Sequence, residues 1–390
     1  MRFPLFLTLN MNPRLRRSLL ILTVLPLLLT AAACQPRSRG ANRLAEDSAE
    51  VQQIDNTLTF ENITLEQADE SGDLIWEVFA EAASYNENEE FAAVTNPDGQ
   101  LFQDGDAIYE IRGDRGQVYE NGQRIVLRGN IEVLDLRSEA VLTGEEMEWR
   151  PEEQVLTVRR NFEVTHPDAR LAAREGRLYD LEQRLELTGR VIARTRQDPR
   201  LVMRSQALTW LMTEEKMTSD RPIEVRRLQN DRVTDIASGQ RAEVDLATNQ
   251  VTLRGNAQIA MEDPMAQVNS SELIWNINQE TLRSDQRLRL LQPRQQLTIS
   301  ANQGQLAIDT RVLNMQGDVQ ALAQRNQSTL TSDNLVWNLA NQEFRATGNV
   351  DYRQPDPQMV VNGPTANGRL QNQTIVISGG RVVSEIVPEE

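Results

Sequence analysis

The chain is poor in the residue types on which many catalytic and metal sites depend. It holds one cysteine, Cys34, and one histidine, His166. A single cysteine forms no intramolecular disulfide, and one Cys with one His makes no zinc cluster. A Ser-His-Asp or Cys-His site would rest on His166 alone, which sits in the polar stretch Thr165-His166-Pro167-Asp168 and reads as a surface turn. No Walker A loop occurs, and the acid pairs Glu145/Glu146 and Glu152/Glu153 read as solvated turns rather than an acid/base pair. No catalytic residue, metal ligand or cofactor is predicted, and the chain is not expected to be an enzyme.

Aromatics make up 5 % and apolar residues 39 %, thin for a compact globule. Yet 390 residues are too many for one ordinary core. Together these point to an elongated array. Basic charge is also short. Lys216 is the only lysine, and beyond residues 1–33 there are 37 basic against 57 acidic residues, a net of −20. Such a body has no basic field to recruit nucleic acid or an anionic bilayer.

Residues 1–33 carry Arg2, Arg14, Arg16 and Arg17 and no acid. Three of these precede an apolar run from Leu19 to Leu29, which leads into Thr30-Ala31-Ala32-Ala33-Cys34. A basic start, a short apolar run and small residues describe a secretory signal over residues 1–33. Cysteine directly after the small residues resembles a bacterial lipobox. That resemblance implies a diacylglyceryl anchor on Cys34, held in the bilayer by about 0.8 kcal/mol per buried CH₂. The other reading is an uncleaved membrane helix, for which the run is short and carries Pro26. Both readings put the body outside the cytoplasm and tie it to a membrane. Residues 34–55 are polar and charged, and read as a lipidated flexible tether. The folded body is expected over 56–384, with a tail at 385–390.

Self-similarity is the strongest signal. Trp76, Trp149, Trp210, Trp275 and Trp337 recur at intervals of 73, 61, 65 and 62 residues. Four lie in one pattern, apolar-x-Trp-x-apolar: Leu74/Trp76/Val78, Leu208/Trp210/Met212, Leu273/Trp275/Ile277 and Leu335/Trp337/Leu339. The fifth, Met147/Trp149, runs into Pro151. Gly129, Gly189, Gly255, Gly317 and Gly379 follow alternating apolar runs such as Ile125/Leu127/Gly129/Ile131/Val133 and Val251/Leu253/Gly255/Ala257/Ile259. Strict alternation means strands with one apolar and one polar face. The fifth run slips phase at Gly380, which predicts a bulge there. Turns are predicted at Asn96-Pro97-Asp98-Gly99, Glu120-Asn121-Gly122, Pro151 to Gln154 and Thr248 to Gln250. The nearest approach to a helical pattern, Glu61 to Glu70, reads as a short turn. The expected fold is all-β: about five repeats of four short strands, stacked because no single repeat can bury its apolar face. Each recurring Gly is expected either to face a Trp or mark a crease, or else to be a simple bulge.

An apolar inner face can be filled by its own side chains or held open as a trough. Composition leaves both readings standing. The stretch Gly72-Asp73-Leu74-Ile75-Trp76-Glu77-Val78-Phe79-Ala80-Glu81-Ala82-Ala83, followed by Tyr85, resembles the start of the folded domain in the LptC family, the periplasmic component of lipopolysaccharide export. The run Ile125 to Val133 and the segment Ala140 to Trp149 resemble that family's recurring strands. The repeats over roughly 56–384 also resemble OstA/LptA-type repeats. The resemblance implies an elongated, twisted, V-shaped β-jellyroll, open at both ends, whose groove shields acyl chains. It implies a periplasmic lipid-binding component that passes acyl chains of a lipopolysaccharide or related glycolipid from the inner toward the outer membrane. The groove residues implied are Leu74, Trp76, Val78, Leu127, Trp149, Leu208, Trp210, Leu253, Leu273, Trp275, Leu335 and Trp337. Implied partners are the permease subunits of an inner-membrane ABC transporter and an LptA-type bridge protein, joined by strand addition at edges near Thr57–Thr64 and Thr374–Val383. The expected location is the periplasmic face of the inner membrane. Two strands per repeat in each wall would give a body of roughly 50 Å at ~4.8 Å per strand. The competing reading is a structural or adhesive surface lipoprotein with a filled β-sandwich core; a hydrolase using paired carboxylates is the third.

Overall fold

The computed structural model describes residues 57–86, 91–119, 122–370, 374–379 and 383–386. The signal segment, Cys34, the tether, Gly380 and most of the Glu120-Asn121-Gly122 turn lie outside these residues. The described chain is all-β: 28 strands in one hydrogen-bonded antiparallel sheet, with a 3-10 turn at Pro293–Gln295. Among the described residues no helix is long and apolar enough to cross a membrane. The segment from Glu61 is extended too, within β1 (Thr57–Ala68).

The topology is a plain up-and-down meander. β1 pairs with β2 (Leu74–Asn86), and β2 pairs with both β3 (Phe91–Thr95) and β4 (Asp98–Gln103). Thr95 opposes Ala82 and Asp98 opposes Phe79, so β3 and β4 share one register along β2. They are one strand path bent at Asn96-Pro97. The turn predicted at Asn96–Gly99 is a corner inside a path rather than a connection between paths, and Asp98 and Gly99 belong to β4. In the same way β5 (Asp106–Arg112) and β6 (Arg115–Tyr119) both lie along β7 (Ile125–Asp135). Seven paths are broken at a corner, so the 28 strands form 21 paths. The turn predicted at 151–154 is a hairpin connection; the one predicted at Thr248–Gln250 falls at 246–249, with Gln250 already in the next strand.

Unbroken paths bend at the same midpoint. Register shifts fall at Arg128/Ile131, Thr188/Val191, Arg254/Ala257, Gln316/Val319 and Thr347/Val350. Each holds a pair of residues at positive φ: Gly129/Asn130, Gly189/Arg190, Gly255/Asn256, Gly317/Asp318 and Gly348/Asn349. Two left-handed residues in a row break the pleat and turn the strand. Four of the recurring glycines, Gly129, Gly189, Gly255 and Gly317, are thus bulge and crease at once, with Gly348 as a further copy, and no Trp faces them; Gly379, at φ 92°, follows the strand Thr374–Ser378, and a Cβ there would lie nearest Pro364. A Cβ on Gly129 would lie 2.4 Å from Asp114 Oδ2; the other four meet Arg174, Gln240, Asn302 and Asp333. Polar pairs close the corner outside: Asn130 Nδ2 donates to Asp114 Oδ2 at 2.9 Å, and Asn349 Nδ2 to Asp333 Oδ2 at 2.9 Å.

Bending every path at its middle makes two walls that meet at the crease, with a rim of turns along each free edge. Each path crosses both walls, so 21 paths at ~4.8 Å extend about 100 Å, twice the expected length. In the C-terminal half, alternate paths begin at Gln250, Thr281, Val312, Glu343 and Thr374, a 31-residue period. The tryptophan repeat of about twice that length spans two such units. The intervening copies carry Leu306 and Gly368 in the tryptophan position. One rim is stitched turn to turn: Ile277 N donates to Asn249 O at 3.0 Å, Ile308 N to Glu280 O at 2.7 Å, and Leu339 N to Arg311 O at 2.9 Å.

Candidate functional site

The alternating inner positions converge on one apolar interior that runs from Trp76 to Ala366. Val78, Leu127, Leu208, Leu253, Leu273 and Leu335 are all buried in it, as are the five tryptophans, at 0–6 % exposure. Leu74, at the first position of β2, is half-buried.

The tryptophans are not equivalent. Trp149, Trp210, Trp275 and Trp337 are each next to last in their strands, Val141–Arg150, Arg200–Leu211, Ala266–Asn276 and Ser328–Asn338. All four therefore sit just beneath the same rim, four paths apart, or about 19 Å. Trp76 is third in β2 and belongs to the opposite wall. Its indole N–H donates to Gln67 Oε1 at 2.7 Å, whereas the indole nitrogens of the other four are buried without a hydrogen-bond partner. A buried unmet donor costs about 1–3 kcal/mol.

Three of the four are covered from the facing wall. The Tyr109 ring stands edge-on to Trp149 with centroids 6.4 Å apart, and His166 stands edge-on to Trp210 at 5.2 Å. The Arg227 guanidinium lies 5.6 Å from the Trp275 ring centroid. His166 is thus a packing residue as well as a turn residue; Asp168 N donates to its Nδ1 at 3.1 Å.

Buried charge ties the rims here. Arg137 donates to Tyr109 Oη at 2.6 Å and to the Asp180 carboxylate at 2.5 and 3.2 Å, and Tyr109 Oη–H donates to Asp180 in turn. Tyr109 and Arg137 come from one wall and Asp180 from the other. Burial, reinforced by the Asp180 charge, pushes the Tyr109 hydroxyl well above its ordinary pKa, so it stays a donor. Arg227 is held by Asp235 at 2.5 Å, and Thr234 Oγ1 donates to Asp235 at 2.8 Å.

At the C-terminal end the rims part. A cavity of about 510 Å³ opens between them, with Arg294, Arg311, Arg325 and Arg369 in its lining beside Phe344 and Leu370. A smaller apolar chamber of about 60 Å³ shares Leu297, Ala323, Phe344 and Tyr352 with it and is bounded by Leu335 and Trp337. Arg311 reaches across the mouth to Asp263 of the other rim at 2.6 Å, and Arg325 donates along its own rim to the Arg294 carbonyl at 2.8 Å. Sequence reading missed this mouth. Its arginines stand in or beside turns, where a charge reads as a solvated one.

Both ends of the meander leave a strand with one neighbour among the described residues. β1 pairs only with β2, and the strand Thr374–Ser378 only with Gln358–Arg369. Leu58, Phe60 and Val376, on these end strands, are exposed.

The family model described as "Lipopolysaccharide-assembly, LptC-related" matches residues 19–168 and 287–381, more than half of the chain. No curated protein sequence matches it.

Proposed function

Because the chain belongs to the LptC-related family of lipopolysaccharide-assembly proteins, we propose that it is the lipid-binding component of a lipopolysaccharide (glycolipid) export machine, with acyl chains carried between its two walls. One observation supports this above all. The interior is apolar without a break from Trp76 to Ala366 and opens at one end on an arginine-lined mouth. Acyl methylenes leave water for this interior as readily as Leu and Val side chains do. An anionic head group stays at the mouth, where guanidinium groups can pair with it. Where the walls touch, an acyl chain replaces the facing wall's apolar contacts with little net change, so transfer is passive. Direction then comes from an inner-membrane ATPase. The permease subunits of that ABC transporter meet the β1 edge, and an LptA-type bridge protein adds a strand at Thr374–Ser378. The protein sits on the periplasmic face of the inner membrane, held by acylated Cys34 or by an uncleaved N-terminal helix. The unmatched stretch 169–286 carries the same bent paths and lengthens the conduit.

The buried latch at Asp180 favours a second reading, a structural lipoprotein with a filled core. Photo-crosslinking residues placed at Leu273 and Leu335 in cells separate the two. Lipopolysaccharide adducts at both positions support the conduit. Adducts at Leu335 alone confine lipid to the open end, and adducts at neither leave the filled-core reading.

A further inference from the structure

We propose that the four unpartnered indole N–H groups, of Trp149, Trp210, Trp275 and Trp337, form a row of donors for the carbonyl oxygens that join acyl chains to the polar part of the lipid. This rests on the interior being an acyl-chain path, and adds the chemistry that path recognises.

Buried indole N–H groups normally find an acceptor. Trp76 does, on Gln67, and it is the one tryptophan on the other wall. The four that do not share one place in the repeat, so the unmet donor is a property of that place rather than an accident of packing. The place has a definite depth. The second-last or next-to-last residue of a strand lies one or two residues below the rim, about 3–7 Å inside it. A lipid with its head group in water at the rim and its chains toward the crease puts its ester or amide carbonyls at that depth. Those carbonyls are acceptors without a proton of their own, the complement of an indole, which only donates. Trp337 already borders the open chamber, so it is the first donor at the mouth. Trp275, Trp210 and Trp149 follow at intervals of about 19 Å, each covered by a facing-wall group that must move aside. Because an unmet donor is unfavourable, each station favours an occupant with a carbonyl at this depth over a bare hydrocarbon.

The test uses the full chain, labelled with ¹⁵N at the tryptophan indoles and titrated in micelles with ester-linked dioleoyl phosphatidylglycerol or its ether-linked analogue, which lacks the carbonyls. Binding of each lipid is measured separately by competition with a fluorescent phospholipid. The expected result is a roughly three- to tenfold preference for the ester lipid, the yield of one or two net hydrogen bonds. The Trp337 indole signal should move with the ester lipid only, and the Trp76 signal with neither. In Trp337→Phe, which keeps an aromatic ring and loses the N–H, the preference should fall toward one. Equal binding of the two lipids, or ester binding that leaves the Trp337 signal in place, overturns the row of donors while leaving the conduit intact. Binding of neither lipid defeats the conduit itself. If Trp337→Phe does not fold, the labelled wild-type titration still decides.

Discussion

Trp149 and Trp337 hold equivalent places, next to last in strands that end at the same rim, and both are fully buried. Over Trp149 stands Tyr109 from the facing wall, fastened by Asp180 and Arg137. Beside Trp337 lies a chamber that widens into the C-terminal mouth. The crease is the same in both stretches: Gly189/Arg190 and Gly348/Asn349 have nearly the same φ values, 79/55° and 79/49°. The bend therefore does not decide whether the walls meet. The side chains at the rim do. A latch on the buried Asp180 carboxylate draws the walls together in one stretch; in the other, the pair that spans the rims, Arg311–Asp263, is exposed, and a chamber stays open beside Trp337.

The largest break in this comparison should come from Asp180→Ala. It leaves Arg137 and Tyr109 in a site built for a carboxylate, and should cost about 2–3 kcal/mol in urea unfolding, less than a fully buried pair because Arg137 is a third exposed. An unchanged midpoint would mean that the latch does not hold the closed stretch. Next come the creases. Gly189→Ala and Gly348→Ala should each cost on the order of 1–2 kcal/mol, since both force a Cβ into the left-handed region. Near-equal losses would show the crease to be common to both stretches; a loss in only one would tie wall closure to the bend after all. At the open end, Arg311→Ala breaks an exposed pair with Asp263 and should cost less than about 1 kcal/mol. A loss as large as that of Asp180→Ala would erase the contrast between the two stretches.

The smallest effect is one of pH. Burial alone would raise the pKa of Glu148, but hydrogen bonds from Arg150 at 2.7 Å and Arg159 at 3.1 Å outweigh it and hold the carboxyl below its usual range. A depressed carboxylate stabilises the fold at every pH above its unfolded pKa and loses that contribution as pH falls through the folded value. Glu148→Gln should therefore flatten part of the acid limb of the stability curve and leave the neutral plateau's shape unchanged. An acid limb identical to the wild type would remove Glu148 from the closed stretch's account.

Much of the fold was legible before any coordinates. Alternation at Ile125/Leu127/Ile131/Val133 and at Val251/Leu253/Ala257/Ile259 marked the strands and chose the buried face, because neighbouring side chains on a strand must point opposite ways. The glycine marker pointed to the midpoint of the paths. The 31-residue unit stayed hidden because Leu306 and Gly368 replace Trp in every second copy. Asn96-Pro97 marked a turn without revealing its kind, because the same residues turn a chain back or bend it at a corner. Trp76 looked like its four counterparts because a local pattern does not reveal at which end of a path it lies.

Local alternation and its recurrence thus determined by themselves that this chain is an extended all-β array with a continuous apolar face. Only the tertiary structure decided where that face is shut and where it opens. Closure depends on groups such as Tyr109 and Asp180, 71 positions apart and on opposite walls. Such groups meet only after each intervening path has bent at its crease and been stacked in register.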